Sequence, residues 1–315
     1  MKKILVCGQI NMETTMRVDG FPIKYTPVNY PFFGIRTTVA GVGLNIASGL
    51  KKLGQDPEIL ALIGRDREGE NVLLDLDRRE LKHKYVIPHI EETTCAIILY
   101  DKEGKRQANN DLKDVQETAY PEDLFTTAIQ DADNVILCNI NYSRPFLSKA
   151  KAAGKKLFTD VHTVNDIHDP YNSDFMKYAD VLFLSNEKIK GKEKTFVKDI
   201  HNTYGNRIIV VGLGKEGALL FEAEAGKFSH VPAVKTREIV STIGAGDALF
   251  SGFVDGHTRG MDPLTSLKRA TVFASYKIGA AGAAEGFLDG DELKKILDEK
   301  SADLEDNMIY HQFLD

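Results

Sequence analysis

Short apolar runs alternate along this chain with segments of helical period. Ile4–Cys7 and residues 59–63, 135–138, 157–159, 181–184 and 208–211 are rich in Val, Ile and Leu at consecutive positions. Such runs predict strands buried on both faces, as in a parallel sheet covered by helices. Helices are expected between them. Leu44, Ile46, Ala47, Leu50 and Leu53 form an apolar stripe, Lys51 and Lys52 face outward, and Gly54 supplies the stop. A second helix is predicted to start at Asp262-Pro263, an N-cap followed by proline at the first helical position, with an apolar face of Leu264, Leu267, Thr271, Ala274 and Ile278. The alternation predicts an α/β fold.

Two stretches break the rhythm. Residues 14–38 contain Pro22, Pro27 and Pro31, several aromatics and no helical period. Residues 93–109 predict a hairpin, with strands at 94–100 and 105–108 and a turn at Asp101-Lys102-Glu103-Gly104. Both predict β-structure inserted at the end of a core strand, a candidate lid over a site. The expected division is a core of residues 1–13, 39–92 and 110–315, with a β lid of 14–38 and 93–109. The 315 residues suit about two domains, or one large α/β unit with an appendage. No internal repeat or low-complexity tract interrupts the pattern.

Composition narrows the function. Hydrophobic residues make up 43% and charged residues 27% of the chain, which excludes a disordered or disulfide-dense protein. The net charge of -6, with no Lys/Arg cluster, argues against nucleic acid as a partner. No apolar run reaches the ~18 residues that span a bilayer, so no membrane partner is expected. Met1-Lys2-Lys3 resembles the start of a signal peptide, but only Ile4–Cys7 is apolar before Gly8-Gln9, too short for its hydrophobic region. Cys7, Cys95 and Cys138 each fall in an apolar, strand-like run, which predicts reduced buried thiols and a cytoplasmic location.

The sharpest chemical signal is Ser241-Thr242-Ile243-Gly244-Ala245-Gly246-Asp247, a small-residue turn opening an apolar helix. The backbone N–H groups of Gly244, Ala245 and Gly246 would then lie at a helix N-terminus, a ready anion site. Asp247 in the first turn would stay ionised and could accept a proton. A plain strand-to-helix turn with a capping Asp fits the same residues. Ala40-Gly41-Val42-Gly43-Leu44-Asn45-Ile46-Ala47 places two glycines before a helix, allowing close backbone approach, with Asn45 as donor and acceptor. Helix punctuation is the simpler alternative. Gly212-Leu213-Gly214-Lys215-Glu216-Gly217 has dinucleotide-fingerprint spacing, but Ala218-Leu219-Leu220-Phe221 after it predicts a strand where that fingerprint requires a helix. A hairpin beside a nucleotide fits better. No P-loop sequence is present. Asp160, His162, Asp166, His168 and Asp169 could hold a metal by residue type, or simply form a loop after a strand.

Together these residues resemble the ribokinase-like, or pfkB, carbohydrate kinases. Gly41, Gly43, Asn45, Ala47, Gly54 and Gly64 carry the spacing of the N-terminal family signature, and residues 241–254, with Gly-Ala-Gly-Asp at their centre, carry the C-terminal one. The resemblance implies a three-layer α/β/α sandwich with a small β-sheet lid, and ATP-dependent phosphorylation of an alcohol. It implies Asp247 as the base, with the amides of Gly244, Ala245 and Gly246 as the anion hole. By position it places Asn11, Glu13, Gly41, Gly43 and Asn45 around the sugar. Asn186 falls near the phosphates and Mg²⁺, and Gly212, Gly214, Gly217, Gly279 and Gly282 near the nucleotide, the last two flanking adenine. A monovalent cation and a homodimer formed through the lid are also implied.

Two positions depart from the family pattern. Ile189 stands where its N-x-x-E motif has Glu, and Ser241 where an Asp is usual. The expectation is that Mg²⁺ arrives mainly with ATP, with Asn186, and Glu187 as a second candidate, reaching it through water, and that Ile189→Glu would lower the Mg²⁺ requirement. Two other functions fit: a nucleoside kinase, with Tyr30, Phe32 and Phe33 as a slot for a base, and a sugar-binding regulator with weakened catalysis.

Overall fold

The computed structural model of the protein describes residues 3–103 and 105–312, with side chains at all of these except 302 and 305–312. The expectations at Met1, Lys2 and Gly104 lie outside the described residues. In chain order the elements are β1 (Ile4–Cys7), β2 (Asn11–Arg17), β3 (Ile35–Ala40), α1 (Val42–Lys52), β4 (Pro57–Gly64), α2 (Arg67–Arg78), β5 (Lys82–Ile90), β6 (Cys95–Tyr100), β7 (Arg106–Asp111), α3 (Glu122–Gln130), β8 (Asn134–Leu137), α4 (Phe146–Ala152) and β9 (Lys156–Thr163). They continue with α5 (Ser173–Tyr178), β10 (Val181–Ser185), α6 (Glu193–Tyr204), β11 (Ile208–Gly212), β12 (Ala218–Glu222), β13 (Lys227–Val231), α7 (Ala245–Thr258), α8 (Pro263–Lys277) and α9 (Gly290–Gln312).

The large sheet has nine strands in the order β13-β12-β11-β10-β9-β8-β1-β4-β5. Every neighbouring pair from β5 to β11 is parallel, while β12 and β13 continue antiparallel. Alternation along β1 shows how the sheet is sandwiched. Ile4 and Val6 pack into one core with residues of α1, α2, α7, α8 and α9. Leu5 and Cys7 pack into the other with residues of α3, α4, α5 and α6. The result is a three-layer α/β/α sandwich. Pro88 sits in β5, the strand at the sheet's edge, where a missing N–H is tolerated.

The second sheet has four strands in the order β3-β2-β6-β7. It starts at Asn11, three residues earlier than the expected lid, and extends to Ala40 and Asp111. Asn11 and Glu13 are therefore small-sheet residues. Among the bonds that tie the sheet to the core, Arg36 Nη2 donates to Glu285 Oε1 at 2.5 Å and Arg106 Nη1 to the Thr242 carbonyl at 3.4 Å. Ala40 and Ile98 of this sheet also pack with Ile243 and Ala283.

All three cysteines are free, but Cys95 is only half-buried at the start of β6, and Cys138 lies one residue beyond β8. Helix α8 is capped by Asp262, whose Oδ1 accepts from the Thr265 amide at 2.9 Å. It ends at Lys277, before the predicted Ile278. Among the described residues, no helix is long and apolar enough to cross a membrane.

Candidate active site

Strand β1 starts the sheet's two opposed directions, since β4 lies on one side of it and β8 on the other. A crevice at the carboxyl ends of the strands is expected at such a switch point. The chain is tightly folded there. A Cβ on Gly8 would lie 2.6 Å from Cys138 Sγ and 2.9 Å from the Gly43 Cα. Gly43 therefore serves the contact of α1 with the β1–β2 turn, and its amide donates to the Gln9 carbonyl at 2.9 Å. Gly41 precedes α1 at φ 108°, a left-handed conformation, with space for a Cβ closed by Gln9 and Asn11.

The first turns of α1 and α7 meet at this crevice. Asn45 Nδ2 donates to Asp247 Oδ2 at 2.7 Å. Both side chains are buried. Glycines and small residues allow the convergence: Gly49 lies against Ser251, and Gly252 against Ala270 of α8. Burial pushes the Asp247 carboxyl above its ordinary range, with Asp160 adding to the rise, while Asn45, His162 and Lys277 oppose it.

Strand β2 brings Glu13 to the same place. Burial and then the charge of Asp247 push its carboxyl up to about 6, against Lys277 and Arg106. Asn11 Oδ1, Glu13 Oε1 and Asn45 Oδ1 are buried without a hydrogen-bond donor among the described residues. Oxygens buried in this way call for donors, and the hydroxyls of a polyol would supply them.

The turn before α7 has Gly244 as its N-cap at φ 75°. A Cβ there would lie 2.6 Å from the Ala283 carbonyl oxygen, so both conformation and space select glycine. Gly246 faces open space. The structure corrects one member of the expected anion hole. The Ala245 amide donates to the Thr242 carbonyl at 3.2 Å, so it is already committed within the turn. Among the described residues, the amides of Gly244, Gly246 and Asp247 have no such acceptor.

The nucleotide-side residues divide. Gly214 has φ 60° and opens onto free space, whereas a Cβ on Gly217 would meet the Val231 carbonyl oxygen. Gly212 ends β11, and β12 follows antiparallel, so a strand stands where a dinucleotide fingerprint would need a helix. In the segment expected to flank adenine, Gly279 and Ala280 are half-buried and Ala281 is exposed. Gly279 lies under Arg237, whose Nε donates to the Tyr276 carbonyl at 2.5 Å, and Gly282 lies against Glu285.

Asn186 follows β10 and donates from Nδ2 to Glu193 Oε1 at 2.8 Å. Burial raises the Glu193 carboxyl, but the Asn186 hydrogen bond and backbone amides outweigh that and hold it below its ordinary range. Glu193 was not anticipated. Glu187 is exposed, and Ile189 is buried in the core beneath. The stretch from Asp160 to Asp169 does not form a metal cluster: among the described residues, no group of three or more His, Cys, Asp and Glu is placed to hold a metal ion. Asp160 Oδ1 instead accepts the His162 amide at 2.8 Å.

Lys277 is the other residue that the sequence did not reveal. Its side chain is buried and its ammonium donates to the Ile243 carbonyl, in the turn that leads to Asp247. Burial pulls its pKa down to about 8, against the charges of Asp247, Glu13 and Glu285.

The chain is 23% identical over 287 residues to an acarbose 7(IV)-phosphotransferase from Actinoplanes sp., covering 91% of this chain and 95% of that protein. It is 26% identical over 316 residues to a ribokinase from Lactococcus lactis subsp. lactis, covering 96% and 100%. A microbiome-derived acarbose kinase has the same fold, with a TM-score of 0.86 at 24% identity over 94% of this chain and 99% of that one. The sequence profile of the pfkB family carbohydrate kinases matches residues 1–289, and the chain belongs to that family.

Proposed function

We propose that the protein transfers the terminal phosphoryl group of ATP to a hydroxyl of a sugar or sugar derivative. The observation that carries this reading is the convergence of a buried carboxylate, unsatisfied acceptor oxygens and uncommitted helix-terminal amides on one crevice. Phosphoryl transfer is mostly positioning and charge stabilisation, and these groups supply both. Glu13, Asn11 and Asn45 accept hydrogen bonds from the acceptor's hydroxyls. Asp247, oriented by Asn45 through Oδ2, takes the proton of the attacking hydroxyl at Oδ1. Its raised pKa makes it a better base than a surface carboxylate. The amides of Gly244, Gly246 and Asp247 receive the negative oxygens of the phosphoryl group. The open backbone at Gly214 supports a place for the nucleotide.

Asn186 and the ionised Glu193 offer the oxygen donors that Mg²⁺ prefers, and they fit a hydrated Mg²⁺ bound with the nucleotide. When bound, Mg²⁺ neutralises phosphate charge. The free cysteines support a cytoplasmic setting. Exposed Ile35 and Ile97 on the small sheet, with Phe32 and Phe33 on the loop before it, support a homodimer through that sheet. The same exposure leaves Tyr30, Phe32 and Phe33 outside any enclosed slot for a base.

The test is phosphoryl transfer from ATP to a panel of D-ribose, D-fructose, acarbose and inosine, with wild type and Asp247→Asn. The variant should keep its fold and ATP affinity while kcat falls about 10²- to 10⁴-fold. Near-wild-type turnover would remove Asp247 from the mechanism.

A further inference from the structure

The ammonium of Lys277 is costly to bury at this position. Its side chain is fully enclosed at the last residue of α8. Among the described residues its hydrogen-bond acceptor is the Ile243 carbonyl, and no carboxylate lies within ion-pair distance. A methionine would fill the same space without the desolvation cost, so packing alone does not explain a lysine.

What the lysine touches is specific. Ile243 is the residue before Gly244, the left-handed N-cap of α7. The Ile243 side chain is gripped by Ala40, Ile98 and Ala283, and its carbonyl by Lys277. The residue that enters the anion-binding turn is thus fixed at both ends. The antiparallel packing of α7 and α8, made close by Gly252 and Gly256, brings the end of α8 beside the start of α7. The charged groups facing the ammonium come from several elements: Asp247 of α7, Glu13 of β2, Arg106 of β7, and Glu285 after α8.

We infer that Lys277 is a positioning residue for phosphoryl transfer: its ammonium holds the Ile243 carbonyl, fixes the turn at Gly244–Asp247, and places a fixed positive charge beside the site where negative charge gathers. This rests on the kinase reading above and adds a residue to it. A cation held in place before the reaction costs no reorganisation when the phosphoryl group arrives, which is where fixed charges count most. The role is indirect, since the lysine acts through the turn and through the field it sets up at Asp247 and Glu13.

The experiment compares wild type, Lys277→Met and Lys277→Ala, with ATP and the acceptor turned over fastest in the panel. Lys277→Met should fold, and KM for both substrates should stay within about threefold while kcat falls roughly 10²-fold, the scale of one lost preorganised electrostatic group. In wild type, kcat/KM should decline above pH of about 8, where the lysine loses its proton, and this limb should be missing in Lys277→Met. Lys277→Ala should regain activity with added ethylammonium, saturably, and not with the neutral ethanol. If Lys277→Met does not fold, rescue of Lys277→Ala by ethylammonium supports the role and its absence overturns it. A Lys277→Met enzyme with wild-type kcat and an unchanged basic limb overturns the proposal while leaving the kinase reading intact. A wild type that phosphorylates no acceptor overturns the kinase reading and the role of Lys277 with it.

Discussion

In the function proposed above, Glu13 carries recognition and a pH response in one side chain. It is buried, one carboxylate oxygen lacks a donor, and its pKa is pushed up to about 6 by burial and by Asp247. It is therefore ionised above pH of about 6 and neutral below. The ionised form accepts stronger hydrogen bonds from sugar hydroxyls. Acceptor KM should rise as pH falls through this range, while KM for ATP stays level. Glu13→Gln should raise acceptor KM about 10- to 100-fold, the worth of a charged hydrogen bond, and flatten its pH dependence between about pH 5 and 7. Isothermal titration of the acceptor at both pH values checks this; a wild type with pH-independent affinity would remove Glu13 from recognition. Gly244 and Gly43 mark a contrast at the same scale. Gly244 is needed for its left-handed backbone and for its closeness to Ala283, whereas Gly43 is needed because α1 rests on Gly8. Both are glycines of a signature, and only the structure shows which backbone demand each one meets.

Among the elements, the short turn after β10 changes the expected metal chemistry. Ile189 is part of the apolar core, so Ile189→Glu would bury a carboxylate, at a cost of roughly 3 kcal/mol or more. It should lower the melting temperature with no gain in Mg²⁺ use, contrary to what its position in the motif suggested. Glu193→Gln should leave the fold intact and raise the Mg²⁺ concentration for half-maximal activity at fixed ATP; an unchanged titration would exclude Glu193. Glu193 was hidden because it reaches back from the first turn of α6, beyond the spacing of the motif. The central strands were legible because Val/Ile/Leu runs have few other uses in a chain of this kind. Strand β7 was harder, since Arg-Gln-Ala-Asn-Asn-Asp is exposed throughout and has no apolar alternation to fix its end. Strands β5 and β13, at the two edges of the large sheet, were harder for another reason, since each mixes Lys and His with its apolar residues. Lys277 was not legible, since a basic residue in a last helical turn is ordinary, and only the packing of α8 against α7 shows where its ammonium ends. Asn45 and Asp247 were legible singly; their hydrogen bond, between residues 202 apart, was not.

At the scale of the whole molecule, the small sheet contributes strand β2, with the buried Glu13, and is bonded to the turns of the core by Arg36 and Arg106. The crevice is therefore built from both sheets, and its charges are shared between them. The burial of Lys277 and Glu13 has a consequence for folding through proton linkage. Lys277 has a folded-state pKa of about 8 against 10.5 for the free group. The fold therefore disfavours its charged form, a destabilisation present in full below pH 8 and relieved as pH rises toward 10.5. Glu13, at about 6 against 4.5, acts in the opposite sense: its destabilisation is absent below 4.5 and complete above 6. Between about pH 6 and 8 both groups are charged and both oppose folding, so the pH range in which the site is armed is the range in which this pair most weakens the empty protein. Lys277→Met should gain up to about 3 kcal/mol near pH 7 and lose that advantage by pH of about 10, which urea melts at the two pH values would show. Equal stability of variant and wild type at pH 7 would contradict the linkage. The same arithmetic makes substrates into folding ligands. Hydroxyls that satisfy Glu13, and phosphates that face Lys277, remove part of the opposition, so a bound pair should raise the melting temperature most at neutral pH, and a cell short of substrate would hold this enzyme in its least stable form.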